Sequence, residues 1–267
     1  MLPLICPVCA GKLLVGEKTC TCSSGHSFDI ARSGYVNLLL NSSKGHHGDD
    51  KLMVRSRTEF MNRGYYDKLS REVARLAAKY VPAGGIILDS GCGEGKYTVE
   101  VMEAVSESSV IGIDISKEAL ICAARRSGKM MLCVASSAAL PVENGSIDAV
   151  LNIFSPLSAD EFRRCLKVGG ILIRVYPLER HLFELKELIY DKPILNPAES
   201  QELTGFSLAD SVQVKYRIAL DNNADIMALF KMTPYYYKTG RRDQAKTEQA
   251  QYLETSLEFG ISVYRRL

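Results

Sequence analysis

Asp89 closes an apolar run, Ile86-Ile87-Leu88, and glycines follow at positions 91, 93 and 95, with Glu94 between the last two. A helical pattern begins directly afterwards, from Tyr97 to Ala104. Such a strand–turn–helix junction lets a ligand approach the backbone, because glycine has no Cβ and accepts φ > 0. Lys96 stands where the dinucleotide fingerprint G-x-G-x-x-G requires a glycine, which argues against a pyrophosphate at this helix start. Asp114 ends the next apolar run, Val110-Ile111-Gly112-Ile113. Two carboxylates at neighbouring strand ends suit hydroxyls and a positively charged ligand.

A second constellation lies at the N-terminus, where Cys6, Cys9, Cys22 and His26 spell C-x2-C-x12-C-x3-H. Two turns each offering two soft or borderline ligands close a tetrahedral zinc shell, and with no open position the metal is structural. Cys20 is a rival third ligand, two residues before Cys22, although Cys22 to His26 makes the more compact knuckle. So short a segment has little core of its own, and metal binding would supply much of its folding energy.

Elements that position these residues follow from the pattern of the chain. At 267 residues it has room for one large domain and a small module. It is 46% hydrophobic and 24% charged with net charge +2, so no global field draws it to nucleic acid and any basic surface must be local. No apolar run approaches the roughly 18 residues of a membrane span, and no basic leader precedes Lys12, so a reducing, cytoplasmic setting without membrane attachment is expected. There the clustered cysteines read as metal ligands. The dispersed Cys92, Cys122, Cys133 and Cys165 read as small buried hydrophobes.

Phe28 to Leu39 reads as a turn and short strand packed on the knuckle, and Asn41 to Asp50 as a polar linker in which His46 and His47 are an alternative metal pair. Lys51 to Lys79 is helical with a break at Gly64-Tyr65-Tyr66, and its arginines 55, 57, 63, 71 and 75 suit either phosphate or solvent. From Ile86 to Pro177 strands and helices alternate: strands at Ile86–Asp89, Val110–Ile115, Met130–Ala135, Ile147–Phe154 and Ile171–Pro177, helices at Lys117–Arg126 and Ser158–Leu166. That alternation predicts an α/β, mostly parallel, doubly wound sheet. Asp225–Met232 reads as a helix, and Val212–Leu220 and Ile261–Arg265 as closing strands. The expected division is a zinc-binding module at 1–40, a linker with N-terminal helices at 41–80 and the large domain at 81–267.

The acid, the glycines and Asp114 resemble the AdoMet-binding motif of class I methyltransferases. The resemblance implies that Asp89, Gly91, Gly93, Glu94 and Gly95 hold the methionine part, that Asp114 grips the ribose, and that Ser136-Ser137 faces the adenine. Amino-group methylases of this class carry N/D-P-P-Y/F at the fourth strand's end. Here Phe154-Ser155-Pro156-Leu157 stands instead, which is compatible with a ring nitrogen. Phe154 and Ser155 are the acceptor-site candidates; a flipped base could stack on Phe154, although a plain strand-end residue would look the same. No sequence feature singles out a general base, since Asp148 begins its strand and lies at the wrong end.

Joined to the N-terminal pattern and the run His26-Ser27-Phe28-Asp29-Ile30-Ala31-Arg32-Ser33-Gly34-Tyr35-Val36-Asn37-Leu38-Leu39, the chain resembles the RlmA family, from Cys6 to about residue 240. Those enzymes methylate N1 of a guanine in 23S ribosomal RNA. The resemblance implies S-adenosylmethionine and structural zinc, a 23S rRNA hairpin as partner, AdoMet contacts from Tyr66 and His181, and room for a homodimer clasping RNA. Buried-core and helix-capping roles are the alternatives for Tyr66 and His181. Tyr235-Tyr236-Tyr237 with Arg241, Arg242 and Lys246 suits stacked bases and phosphates, or a solvated loop over buried rings. Two rival functions remain at this level: a small-molecule methyltransferase carrying a zinc ribbon, and a non-catalytic zinc-containing RNA-binding protein.

Overall fold

The computed structural model describes residues 2–40 and 48–267, so most of the linker, with His46 and His47, lies outside the described residues. The N-terminal module is a three-stranded antiparallel sheet of β1 (Leu13–Val15), β2 (Thr19–Cys22) and β3 (Ser27–Asp29). Two short helices follow, α1 (Lys51–Asn62) and α2 (Asp67–Tyr80). Gly64 separates them at φ +81°, a conformation that costs glycine nothing. Asp50 caps α1 by accepting from the Met53 amide at 2.8 Å.

The large domain alternates as its periodicity predicts: β5 (Ile86–Ser90), α3 (Lys96–Ala104), β6 (Ser109–Asp114), α4 (Lys117–Arg126), β7 (Met131–Val134), β8 (Ile147–Ile153), α5 (Ala159–Cys165), β9 (Leu166–Pro177) and α6 (Phe183–Ile189). Then come β10 (Phe206–Leu220), α7 (Asn223–Lys231), α8 (Tyr235–Lys238), α9 (Arg241–Gln249) and β11 (Leu253–Arg266). The closing strands are longer than the sequence pattern suggested, because β10 and β11 form a long antiparallel ribbon whose outer strand alternates half-buried and exposed residues.

One strand departs from expectation. Between Phe28 and Leu39 only β3 stays with the module; β4 (Tyr35–Asn37) pairs in parallel with β7 and becomes the edge of the large sheet. The eight strands run β10-β11-β9-β8-β5-β6-β7-β4, parallel from β9 to β4 and antiparallel at β11 and β10. The physical reason is burial: Val36 is fully buried and Leu38 nearly so, together with Cys133 and Leu140. Further along, the Ile5 amide donates to the Pro141 carbonyl at 3.0 Å and the Glu143 amide to that of Pro3 at 2.9 Å.

Each sheet face has its own core. One packs Leu69, Val73, Leu76, Leu120 and Leu185 of the helices against Ile87, Leu151 and Ile173. The other joins Leu4, Leu13 and Cys20 of the module to Leu88, Ile111, Cys133 and Leu172 of the sheet. The zinc module is thus seated on the large domain through a shared apolar core.

Candidate active site and zinc ribbon

The four zinc-ligand atoms converge at one point of the module. The Sγ atoms of Cys6, Cys9 and Cys22 and a ring nitrogen of His26 all lie within 4.8 Å of one another. Cys9 Sγ is 3.7 Å from Cys22 Sγ, and His26 Nδ1 is 3.3 Å from Cys22 Sγ and 3.6 Å from Cys6 Sγ. A tetrahedron with Zn–S about 2.3 Å and Zn–N about 2.0 Å requires edges of about 3.8 and 3.5 Å, so the four residues fit zinc. Ala10 (φ +55°) and Gly25 (φ +82°) turn the two knuckles. Hydrogen bonding to Ser24 and to the Gly11 amide draws the Cys9 thiol down to about 6, which suits a thiolate ligand. Cys20, the rival ligand, is fully buried in the shared core, where it lies near Cys133 of β7.

The acids and glycines meet across the carboxyl ends of β5 and β6, in a cavity of about 950 Å³. Ile113 carbonyl accepts from the Gly91 and Cys92 amides at 2.7 and 3.0 Å, locking the turn onto β6. Asp114 closes it further: Oδ2 accepts from the Gly93 amide at 2.9 Å and Oδ1 from the Ser116 amide at 2.8 Å. The three glycines do different work. A Cβ on Gly91 would meet the Ser155 side chain at 2.4 Å, and one on Gly95 would meet Ala123 at 3.0 Å, so both permit protein packing. Gly93, at φ +56°, would meet only Arg57 Nη1, at 3.7 Å, and so leaves backbone open to the cavity.

Asp89 is 1% exposed; Thr98 Oγ1 donates to its Oδ2 at 2.6 Å, while Oδ1 has no hydrogen-bond partner among the described residues. Burial pushes this carboxyl up to about 7. An orphaned, desolvated carboxylate oxygen beside an open glycine turn fits a ligand that brings its own cationic donor. Burial also raises Asp114, against the lowering effect of its two amide donors. Glu94 lines the same wall, but Arg126 pairs with its carboxylate, so its side chain is already engaged. Lys96, which replaced the fingerprint glycine, turns away to Asp67 and Glu100.

Tyr66 and His181 are brought together although 115 positions separate them in sequence. Both rings pack on Phe259 of β11, at 5.2 and 4.6 Å between centroids, and both line the cavity. His181 Nδ1 accepts from the Glu258 amide at 3.3 Å. Burial, with Lys186 nearby, lowers the imidazole to about 3, so it is neutral at physiological pH. Tyr66 is held by an edge contact to Phe60 and makes no side-chain cap hydrogen bond to α2. Ser136 and Ser137 line the wall beyond β7, where the adenine was expected.

At the end of β8, Phe154 sits at φ +52°, a left-handed conformation unusual for a bulky residue and costly without compensation. It stays 45% exposed, with Tyr97 and Phe259 rings at 6.4 and 5.7 Å. The compensation is Asn152, whose Nδ2 donates to Ser155 Oγ and to the Ser155 and Pro156 carbonyls at 2.6, 3.2 and 3.1 Å. Ser155 Oγ in turn donates to the Ser90 carbonyl. Asn152 lines the cavity, and its role depends on contacts that the sequence alone does not display. Of the five arginines on the α1–α2 stretch, Arg57 is the one that lines the cavity, paired with Asp49. Arg55, Arg63 and Arg75 are tied to Glu59, Asp225 and Glu72. Tyr236 packs on Phe230, Tyr237 donates to Asp50 at 2.6 Å, and Lys246 pairs with Asp191 and Asp243. Only Tyr235 of that loop lines the cavity. Asp148 is structural, accepting from the Ile86 amide and pairing with Lys167.

Residues 4–45 match the family described as RlmA, N-terminal, a zinc ribbon, and residues 87–170 match a methyltransferase domain. A 23S rRNA (guanine(748)-N(1))-methyltransferase of Streptomyces fradiae is 35% identical over 70% of this chain and 67% of its own. The Bacillus subtilis protein YxjB, provisionally named for 23S rRNA guanine-N(1) methylation, is 35% identical over 86% of this chain and 85% of its own. A Micromonospora griseorubida protein with the same provisional name is 32% identical over 90% and 88%. The chain belongs to the RlmA family of 23S rRNA (guanine-N1) methyltransferases. Its fold is the class I methyltransferase fold with an N-terminal zinc ribbon, its cofactors are S-adenosylmethionine and structural zinc, and no helix among the described residues is long and apolar enough to cross a membrane. The YcgJ protein of Bacillus subtilis shares the fold at 15% identity, with TM-score 0.51 over 73% of this chain and 98% of that one.

If these residues hold the cofactor, Asp114→Ala should weaken S-adenosylmethionine binding by about 1–3 kcal/mol, the cost of unpaired polar groups. Gly93→Val should do worse, since its branched Cβ enters the open side of the turn at a φ valine resists. Calorimetric titration checks both, and unchanged affinity in the two variants would remove the pocket assignment.

Proposed function

We infer that this protein transfers a methyl group from S-adenosylmethionine to N1 of a guanine in a 23S rRNA hairpin. The observation that carries the reading is one cavity with two halves: the Asp89, Gly93 and Asp114 turn at one end, and an exposed, left-handed Phe154 at the other. The first half suits Tyr66 and His181 as further contacts to the cofactor. The second suits a base extruded from a loop, because N1 is unreachable inside a paired stack. Bound S-adenosylmethionine supplies a methyl already activated on a sulfonium, so the protein's task is alignment. Asn152 fixes the turn that carries Phe154, and Phe154 offers a stacking face to the base. Residues 1–40 then act as the RNA-gripping module, 41–80 as linker and N-terminal helices, and 81–267 as the methyltransferase domain, in the cytoplasm, with a homodimer as the form that would clasp RNA between two clefts.

Mass mapping of nucleosides in 23S rRNA should find one 1-methylguanosine in cells with this protein and none in cells without it. Methyl incorporation only into small-molecule fractions would favour the small-molecule reading, and failure to bind S-adenosylmethionine would favour the non-catalytic one.

A further inference from the structure

The same cavity is also lined by an ion pair that no assigned role explains. Arg174 Nη2 donates to Glu199 at 2.8 Å; the side chains are 13% and 33% exposed. Arg174 is out of place by composition. Its neighbours on that face of β9 are Leu172, fully buried, and Tyr176, 6% exposed. A charge set into a sheet face is costly unless it is paired and used.

The surroundings hold it in one geometry. The guanidinium lies 5.3 Å from the Tyr176 ring centroid. Tyr176 hydroxyl is bonded by Gln201 and by Ser262, and Ser262 donates to Gln201 Oε1 at 2.7 Å. Gly260 makes this possible, since a Cβ there would meet the Tyr176 ring at 2.4 Å. Arg174 is also the in-register partner of Asn152 across β8 and β9, so it stands one strand, about 4.8 Å, from the residue that builds the Phe154 turn. Asn152 and Arg174 occupy the sheet face that the zinc ribbon also covers, through Val150 and Leu172 in the shared core.

We propose that Arg174 and Glu199 read the Watson–Crick edge of the target guanine, with Glu199 accepting from N1–H and N2–H and Arg174 donating to O6. This rests on the guanine-N1 reading above and names the group that reading lacks, a proton acceptor for N1. A carboxylate facing two adjacent N–H donors and a guanidinium facing a carbonyl match guanine and no other standard base. As the N1–CH₃ bond forms and the S–CH₃ bond breaks, the sulfur keeps the bonding electron pair and leaves as the neutral thioether. The N1 proton passes to the Glu199 carboxylate ahead of the methyl, freeing the N1 electron pair that forms the new bond, and the Arg174 donor steadies the charge that builds on O6. The ion pair seen here is then the resting state, with each partner occupying the other until the base arrives.

The test uses full-length protein and protein-free 23S rRNA purified from cells lacking this activity. Single-turnover methylation is measured for the wild type, Glu199→Gln, Glu199→Asp and Arg174→Met, with the product identified by nucleoside mass. S-adenosylmethionine affinity and melting temperature are measured in parallel. Glu199→Gln should lose at least 100-fold in rate, Glu199→Asp should recover a large part of that loss, and Arg174→Met should lose 10-fold or more. All should keep cofactor affinity within error and stay folded at the assay temperature, with a lower melting temperature wherever the ion pair is broken. A Glu199→Gln rate within threefold of wild type overturns the assignment, as does loss of cofactor affinity in that variant. A wild type that forms no 1-methylguanosine overturns the guanine-N1 reading, and this proposal with it; 1-methylguanosine made equally by wild type and variant overturns the proposal alone.

Discussion

Cys22→Ser should release the zinc and unfold the ribbon, whereas Cys20→Ser should keep a full equivalent of metal. The reasoning is geometric first. Cys22 Sγ contacts both Cys9 Sγ and His26 Nδ1, so its loss removes one of the four ligands and both of these contacts. Structural zinc contributes on the order of 10 kcal/mol or more of apparent binding energy to small ribbons, more than the three short strands β1 to β3 could replace by pairing. Cys20 is different in kind. It is fully buried against the large sheet, and serine there would place a hydroxyl in an apolar site at about 1–3 kcal/mol. Metal analysis by mass spectrometry separates the two, and a melting curve should show that Cys20→Ser also destabilises. Retention of one zinc by Cys22→Ser would show that the ligand set is wrong.

The contrast between these cysteines shows what a sequence can carry. Ligand spacing is local chemistry, and C-x2-C-x12-C-x3-H was readable because knuckle geometry is set by the few residues between the ligands. The strand–helix alternation from Ile86 to Pro177 was readable for a similar reason: β5, β6, β8 and the parallel part of β9 are near-continuous apolar runs, as strands buried on both faces must be. What stayed hidden depends on partners distant in sequence. Tyr35–Asn37 carries three residues of strand pattern, and nothing local says which sheet it will join. Its choice of β7 is decided by burial of Val36 and Leu38 beside residues 95 or more positions away. Gly91 and Gly95 look alike in a string, and only the fold shows that a Cβ at either would press on Ser155 or Ala123, a packing requirement beside any ligand contact. Arg174 looks like one polar residue in a strand, and only the cavity reveals what it faces. The five arginines of the α1–α2 stretch and its break could not be ranked until their acidic partners were placed.

The shared core also changes what removal of the ribbon should do. A linker at 41–50 suggests a detachable module, and on that view residues 51–267 would bind S-adenosylmethionine unaided. The structure leads to the opposite expectation. Deleting residues 1–50 strips β4 from β7 and uncovers the apolar surface that Leu4, Leu13, Val36 and Leu38 bury. Four such side chains at about 1.5–3 kcal/mol each amount to roughly 6–12 kcal/mol, comparable with the whole stability of an ordinary domain, about 5–15 kcal/mol. The cut also removes Asp50, the cap of α1, and Asp49, which pairs with Arg57 and accepts from Ser116 Oγ at 2.8 Å beside the cavity. The fragment should therefore be aggregation-prone, melt far below the full chain and bind the cofactor weakly. A fragment starting at residue 31 keeps β4, Asp49 and Asp50, and should fall between the two. Differential scanning calorimetry and cofactor titration on the three proteins give the order directly. Wild-type melting temperature and affinity in residues 51–267 would show that the ribbon merely rests on the sheet. The expected order would mean that zinc, through Cys6 and Cys22 in the same core as Cys133, supports the strand whose end borders the cofactor cavity.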